Sequence, residues 1–139
     1  MAVTNILLDT NGYTAFKQGQ PGAIDIIQRA NRIALNSTVL GELMAGFAVG
    51  TRESKNRAEL QQFLASERVH ILVVDDGTAL YYANVYRLLR SKGNPIPTND
   101  MWIAATALQY GYALFSYDYH FRFIDGLLVG TNSEELLLL

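Results

Sequence analysis

"TNDMWIAATALQYGYALFSYD", Thr98 to Asp118, contains a helix, a stop and a strand in succession. Counting from Asp100, the helical spacing falls on Ile103, Ala104, Ala107 and Leu108, the pattern of a face turned toward a core. The helix is expected over Asn99 to Tyr110, and Gly111 is suited to end it in a left-handed turn. "YALFS" (Tyr112 to Ser116) then reads as a short buried strand. Other apolar runs repeat this strand signal: "NILL" (Asn5 to Leu8), "RIALN" (Arg32 to Asn36), "VHILVV" (Val69 to Val74) and "GLLVG" (Gly126 to Gly130). Helix-length segments separate them, with helices expected over Thr10 to Lys17, Pro21 to Ala30, Ser37 to Val49, Arg52 to Glu67 and Asp76 to Ser91. Strands alternating with helices imply βαβ units and a parallel sheet, so the chain is of the α/β class.

The helix of the opening stretch starts with a carboxylate on its inward stripe. A capping role for Asp100 is the ordinary explanation, yet Thr98 and Asn99 are already available to cap the first turn without placing a charge on the apolar register. In an open α/β sheet, strand C-termini and helix N-termini share the edge at which ligands bind. Asp9 directly follows the first strand, Glu42 lies near the start of the helix after "RIALN", Asp100 opens the late helix, and Asp118 stands two residues beyond "YALFS". Each has a structural alternative: Asp9 as a cap, Glu42 as a solvated acid, Asp118 as a turn former. Four acids expected on one edge point instead to a shared role. Crowded carboxylates raise one another's pKa, so a positive partner is required, and all-oxygen ligands suit a hard divalent cation such as Mg²⁺. Such an ion polarises a phosphoryl group and activates water without a histidine or cysteine nucleophile.

Bulk properties narrow the partners. With 139 residues, half of them hydrophobic, one domain over residues 1–139 with a substantial core is expected. The formal charge of −2 and a pI of about 5.6 exclude a strong overall positive field, so any nucleic-acid contact is local. The absence of cysteine excludes disulfides and thiolate metal sites. "MAVTNILLDTNGY" lacks the pattern of a signal peptide and no run approaches membrane-spanning length, so a cytoplasmic location is expected. The closing "EELLLL" is expected to dock on the domain or contact a second copy.

"LLDTNGYTAF", "STVLGELMAG", "IPTNDMWIAATAL" and "LFSYDYHF" occur in the order of the corresponding motifs of PIN-domain nucleases, and the chain most resembles the VapC-type toxins of bacterial toxin–antitoxin pairs over nearly its whole length. The resemblance implies a three-layer α/β/α domain with a five-stranded parallel sheet. It implies an endoribonuclease dependent on Mg²⁺ or Mn²⁺, in which Asp9, Glu42, Asp100 and Asp118 match the acidic metal-site positions. Asn11 and Ser116 match polar support positions, with Ser116 standing where threonine is more usual. It also implies a cognate VapB-type antitoxin that obstructs the active site, commonly a homodimer, and hydrolysis that leaves a 5′-phosphate and a 3′-hydroxyl. The alternative from another functional class is a noncatalytic PIN-like module that binds RNA or a partner protein.

Other residues are weaker candidates. Lys17, Arg87, Arg90, Lys92 and Arg122 could steer phosphate, although charged helical residues usually form a solvated face. His120 near Asp118 suggests an acid–base pair, with a turn or substrate-edge role favoured, and His70 is expected as a packed or edge side chain. Tyr117 and Tyr119 flank Asp118, where they could stack on an unpaired base or simply pack. Asp75 and Asp76 lack the remaining signature of a phosphoacceptor site, and Asp76 is expected to cap a helix. There is no glycine-rich phosphate loop and no zinc-ligand spacing.

Overall fold

The computed structural model describes residues 5–138. Residues 1–4 and 139 of the expected domain lie outside the described residues. The described elements are β1 (Asn5–Leu8), α1 (Thr10–Lys17), α2 (Pro21–Arg29), β2 (Arg32–Asn36), α3 (Ser37–Val49), α4 (Glu53–Leu64), β3 (Val69–Leu72), α5 (Asp76–Lys92), α6 (Thr98–Tyr110), β4 (Ala113–Phe115) and β5 (Val129–Gly130), with a short 3₁₀ turn over Tyr119–Phe123 before β5. The five strands form one parallel sheet in the order β3-β2-β1-β4-β5, giving the expected three-layer α/β/α fold.

β1 occupies the centre because its residues suit burial on both faces. Ile6, Leu7 and Leu8 are all fully buried, as a strand covered by helices on each side requires. Leu7 pairs with Ala34 on one side and Leu114 on the other. The chain winds outward from β1 to β2 and β3, then returns to place β4 and β5 on the opposite flank. That reversal makes a topological switch point beside β1, and the crevice outside the strand C-termini opens there.

Differences from the sequence reading lie mainly at element ends. β5 covers only Val129–Gly130 of the expected "GLLVG". Gly130 is closed in by the segment that follows, since a Cβ there would lie 2.6 Å from Glu135 Cβ. In the described part of "EELLLL", Leu136 and Leu138 are buried while Leu137 points outward at 55% exposure, so this end docks on the domain.

Helix starts are capped from unexpected residues. Asn36, the last residue of β2, caps α3 by accepting from the Val39 amide at 2.9 Å. Asp75 rather than Asp76 caps α5, in a reciprocal capping box with Thr78. α6 begins after Pro97 without a side-chain cap, so Thr98 and Asn99 do not serve as expected.

Candidate functional site

The end of β1 fixes the first carboxylate. The Asp9 amide donates to the Phe115 carbonyl at 3.0 Å, which ties the turn after β1 to the end of β4. The side chain of Asp9 caps α1: Oδ1 accepts from the Thr10 amide at 2.8 Å. Its second oxygen, Oδ2, accepts from Ser116 Oγ at 2.6 Å. Capping and function are therefore compatible roles for one residue. Gly12 permits this close approach, because a Cβ there would stand 2.9 Å from the Phe115 carbonyl oxygen and 3.1 Å from its ring.

The polar residues Ser116 and Asn11 connect the first and last acids. Ser116, almost fully buried, donates to Asp9 and accepts the Asp118 amide at 3.0 Å. Asn11 Oδ1 accepts the Tyr117 amide at 3.1 Å. Together they pin the loop after β4 against the start of α1, so Asp118 is positioned through backbone contacts rather than its own side chain.

Glu42 and Asp100 come from two helices that are themselves locked together. Thr10 Oγ1 donates to Glu42 Oε1 at 3.0 Å. Beneath, Asn36 Nδ2 donates to Thr106 Oγ1 at 3.0 Å, and Thr106 donates in turn to the Trp102 carbonyl at 2.9 Å. Asn36 and Thr106 are fully buried, so this link between α3 and α6 is shielded from competing water. The inward register of Asp100 is observed: the residue is buried in the first turn of α6.

Asp9, Glu42, Asp100 and Asp118 all line one open cavity of 760 Å³, together with Thr10, Asn11 and Tyr117. Burial raises the Asp9 pKa to about 6, with the nearby charges of Asp100 and Asp118 adding to the rise and the Ser116 and Thr10 hydrogen bonds opposing it. The Asp100 pKa is also raised, again chiefly by burial; His120 counteracts the rise, while Asp118 and Glu42 reinforce it. No lysine or arginine is found among the lining residues. The folded chain thus collects negative charge that it does not itself neutralise.

His120 adds a group whose partner was not foreseen. Its Nε2 lies 2.6 Å from Asp100 Oδ2, so it faces the α6 acid rather than forming the suggested pair with Asp118 alone. The nitrogen is itself buried and poorly aligned for a hydrogen bond, yet its contact still favours the ionised form of Asp100. Asp100, Asp118 and His120 each offer a ligand atom, and these atoms lie within 4.8 Å of one another. A donor set of hard carboxylate oxygens with one imidazole nitrogen, carrying uncompensated charge, fits a divalent cation. The sequence signal was the spacing of "DYHF", but the partner on α6 is remote in the chain and could not be read from it.

Residues 6–127 match the PIN domain family. The chain belongs to that family. This PIN domain is 27% identical over 116 residues to Ribonuclease VapC1 of Haemophilus influenzae, an alignment covering 81% of the chain and 85% of that protein. It is 31% identical over 85 residues to Ribonuclease VapC2 of Rickettsia felis, a match spanning 61% of this chain and 62% of that protein. Its fold superposes on the crystal structure of VapBC2 from Rickettsia felis bound to a DNA fragment from the promoter, with a TM-score of 0.80 and 26% identity, covering 91% of this chain and 97% of that one.

Around the PIN-domain cavity, the basic candidates behave as a solvated face. Lys17 pairs with Glu59 at 3.5 Å, Lys92 with Asp125 at 2.7 Å and Arg122 with Glu135 at 3.4 Å, while Arg87 donates to Asn84 at 3.0 Å. Arg90 is exposed on α5 and is not among the cavity-lining residues. His70 is a half-buried residue of edge strand β3, as expected. Tyr117 lines the cavity and leans on Phe115, whereas Tyr119 is 74% exposed beneath the Arg122 guanidinium.

Proposed function

We propose that this chain is a metal-dependent endoribonuclease, the toxin of a toxin–antitoxin pair, which hydrolyses RNA phosphodiester bonds at the cavity lined by Asp9, Glu42, Asp100 and Asp118. The observation that carries this reading is the convergence of those four carboxylates, from four separate elements, on one cavity at the sheet's switch point. Its kinship with proteins named Ribonuclease VapC supports the choice of RNA as substrate. The VapBC complex among its structural relatives supports a cognate VapB-type antitoxin as partner. The same reading includes a homodimer and a cytoplasmic site of action, where RNA is present; among the described residues no helix is long and apolar enough to cross a membrane.

Asp9, Glu42, Asp100 and Asp118 would hold Mg²⁺ or Mn²⁺ through carboxylate oxygens. Bound there, the ion supplies Lewis-acid polarisation of the phosphoryl group and a lowered pKa for water. The chain's residues do the positioning. Ser116 and the Thr10 amide hold Asp9 in one orientation, and Asn11 with Ser116 fixes the loop that presents Asp118. Glu42, whose Oε1 accepts from Thr10 Oγ1, lines the same cavity and would be the carboxylate that assists proton transfer from water. Tyr117, at the cavity rim, offers an aromatic face to an unpaired base.

The test is incubation of partner-free protein with total RNA and Mg²⁺ or Mn²⁺, alongside an Asp9→Asn variant. Cleavage that leaves 5′-phosphate ends, and that disappears both in the variant and on adding EDTA, is the expected result. Cleavage surviving both treatments would reject the assigned chemistry.

A further inference from the structure

We propose that His120 is itself a metal ligand, so that Asp100, Asp118 and His120 form a mixed nitrogen–oxygen site favouring Mn²⁺ over Mg²⁺. This inference rests on the metal-centre reading above and concerns a side chain outside the four-acid set.

His120 Nε2 and Asp100 Oδ2 are 2.6 Å apart, yet the oxygen does not lie along the ring N–H direction, so the contact has the distance of an ion pair without the direction of a hydrogen bond. A buried nitrogen seldom remains without an aligned partner, because it forfeits hydration and receives nothing in return. Nε2 and a carboxylate oxygen brought this close, with the Asp118 carboxylate beside them, can serve as ligands of one cation that takes the place of their direct contact. With ligand bonds of roughly 2.0–2.2 Å, adjacent ligand atoms on an octahedral ion stand about 3 Å apart, so an ion bound here would part the 2.6 Å pair by only a few tenths of an ångström. The Asp118 carboxylate completes the set, with its ligand atom inside the same 4.8 Å limit.

The local chain favours the arrangement. Asp118 and His120 enter the 3₁₀ turn from a loop pinned by Ser116 and Asn11, and the His120 ring leans on Phe121, which is fully buried. The imidazole is therefore held beside α6 by packing as well as by its contact with Asp100. Replacing an oxygen donor by imidazole raises affinity for first-row transition ions relative to Mg²⁺, which prefers an all-oxygen shell.

The test uses the full chain in metal-free form. Pulsed EPR on Mn²⁺-loaded protein should reveal ¹⁴N coupling from a directly bound imidazole, lost in His120→Ala. Calorimetric titration should find Mn²⁺ affinity reduced at least about tenfold in that variant, with a smaller effect on Mg²⁺. His120→Asn, which keeps a polar side chain of similar reach, should also lose the nitrogen signal; circular dichroism establishes that both variants fold. Mn²⁺ bound by the native protein without ¹⁴N coupling, or coupling that persists in His120→Ala, would overturn the ligand assignment and leave the carboxylate centre standing. No Mn²⁺ binding by the native protein would overturn both.

Discussion

Asp9→Asn should abolish RNA cleavage and, in the metal-free protein, raise stability. Asp9 is 3% exposed and its pKa is pushed from 3.8 to about 6. That rise corresponds to about 3 kcal/mol spent in holding the ionised group inside the fold at neutral pH. Asparagine removes the charge, and its carbonyl oxygen still accepts from the Thr10 amide. The amide NH₂ then meets Ser116 Oγ, which must stop donating to residue 9 and accept instead, a loss of about 1 kcal/mol. The net gain is about 1–2 kcal/mol, or roughly 4–8 °C in Tm for a chain of this size. The sign follows from proton uptake. Between pH 3.8 and about 6 the folded protein binds the Asp9 proton more tightly than the unfolded chain, so its stability falls as pH rises through that window. The difference between the variant and the native protein should therefore be small at pH 4, widen up to about pH 6 and remain constant above it. The assay is thermal unfolding in EDTA from pH 4 to pH 8. Saturating divalent metal should reverse the order by stabilising the native protein alone, by about 2.7 kcal/mol at a hundredfold excess over Kd, which exceeds the variant's gain. A variant less stable than the native protein at pH 7.5, or a gap that does not change with pH, would refute the electrostatic reasoning.

Three further outcomes are expected. Gly12→Ala forces a Cβ to within 2.9 Å of the Phe115 carbonyl and should destabilise by about 1–3 kcal/mol in denaturant unfolding, with reduced cleavage because Asp9 shifts away from Ser116. Asn36→Ala removes the α3 cap and leaves Thr106 without its donor, so a loss of about 2 kcal/mol should appear in the same assay, with weakened positioning of Glu42 and Asp100. Ser116→Ala removes a hydrogen bond that lowers the Asp9 pKa, so the acid limb of Mn²⁺ binding, followed by calorimetry across pH, should move to higher pH; Ser116→Thr should retain the native profile.

The sheet was legible because its central strand is apolar at every buried position and its helices show inward stripes. β1 and α1 fall where their patterns predicted. The four acids were legible because topology alone brings strand C-termini and helix N-termini to one edge. Local patterns did not disclose the roles that depend on partners remote in sequence. Asn36 completes a strand, caps the next helix and bonds Thr106 seventy positions away, and only the first of these is visible in "RIALN". His120 meets Asp100 across the gap between the 3₁₀ turn and α6, whereas its sequence neighbour is Asp118. The basic residues form the solvated face that was favoured for them, but the acidic partners of Lys17, Lys92 and Arg122 lie on other segments and could not be read locally.

The acids of the cavity are proposed to share a divalent ion. Crystals grown with Mn²⁺ and measured at an energy where manganese scatters anomalously test it most directly. A peak within about 2.0–2.4 Å of carboxylate oxygens from at least two of Asp9, Asp100 and Asp118 is the predicted result. Empty density among those side chains, from protein that cleaves RNA in the same Mn²⁺ buffer, would contradict the account.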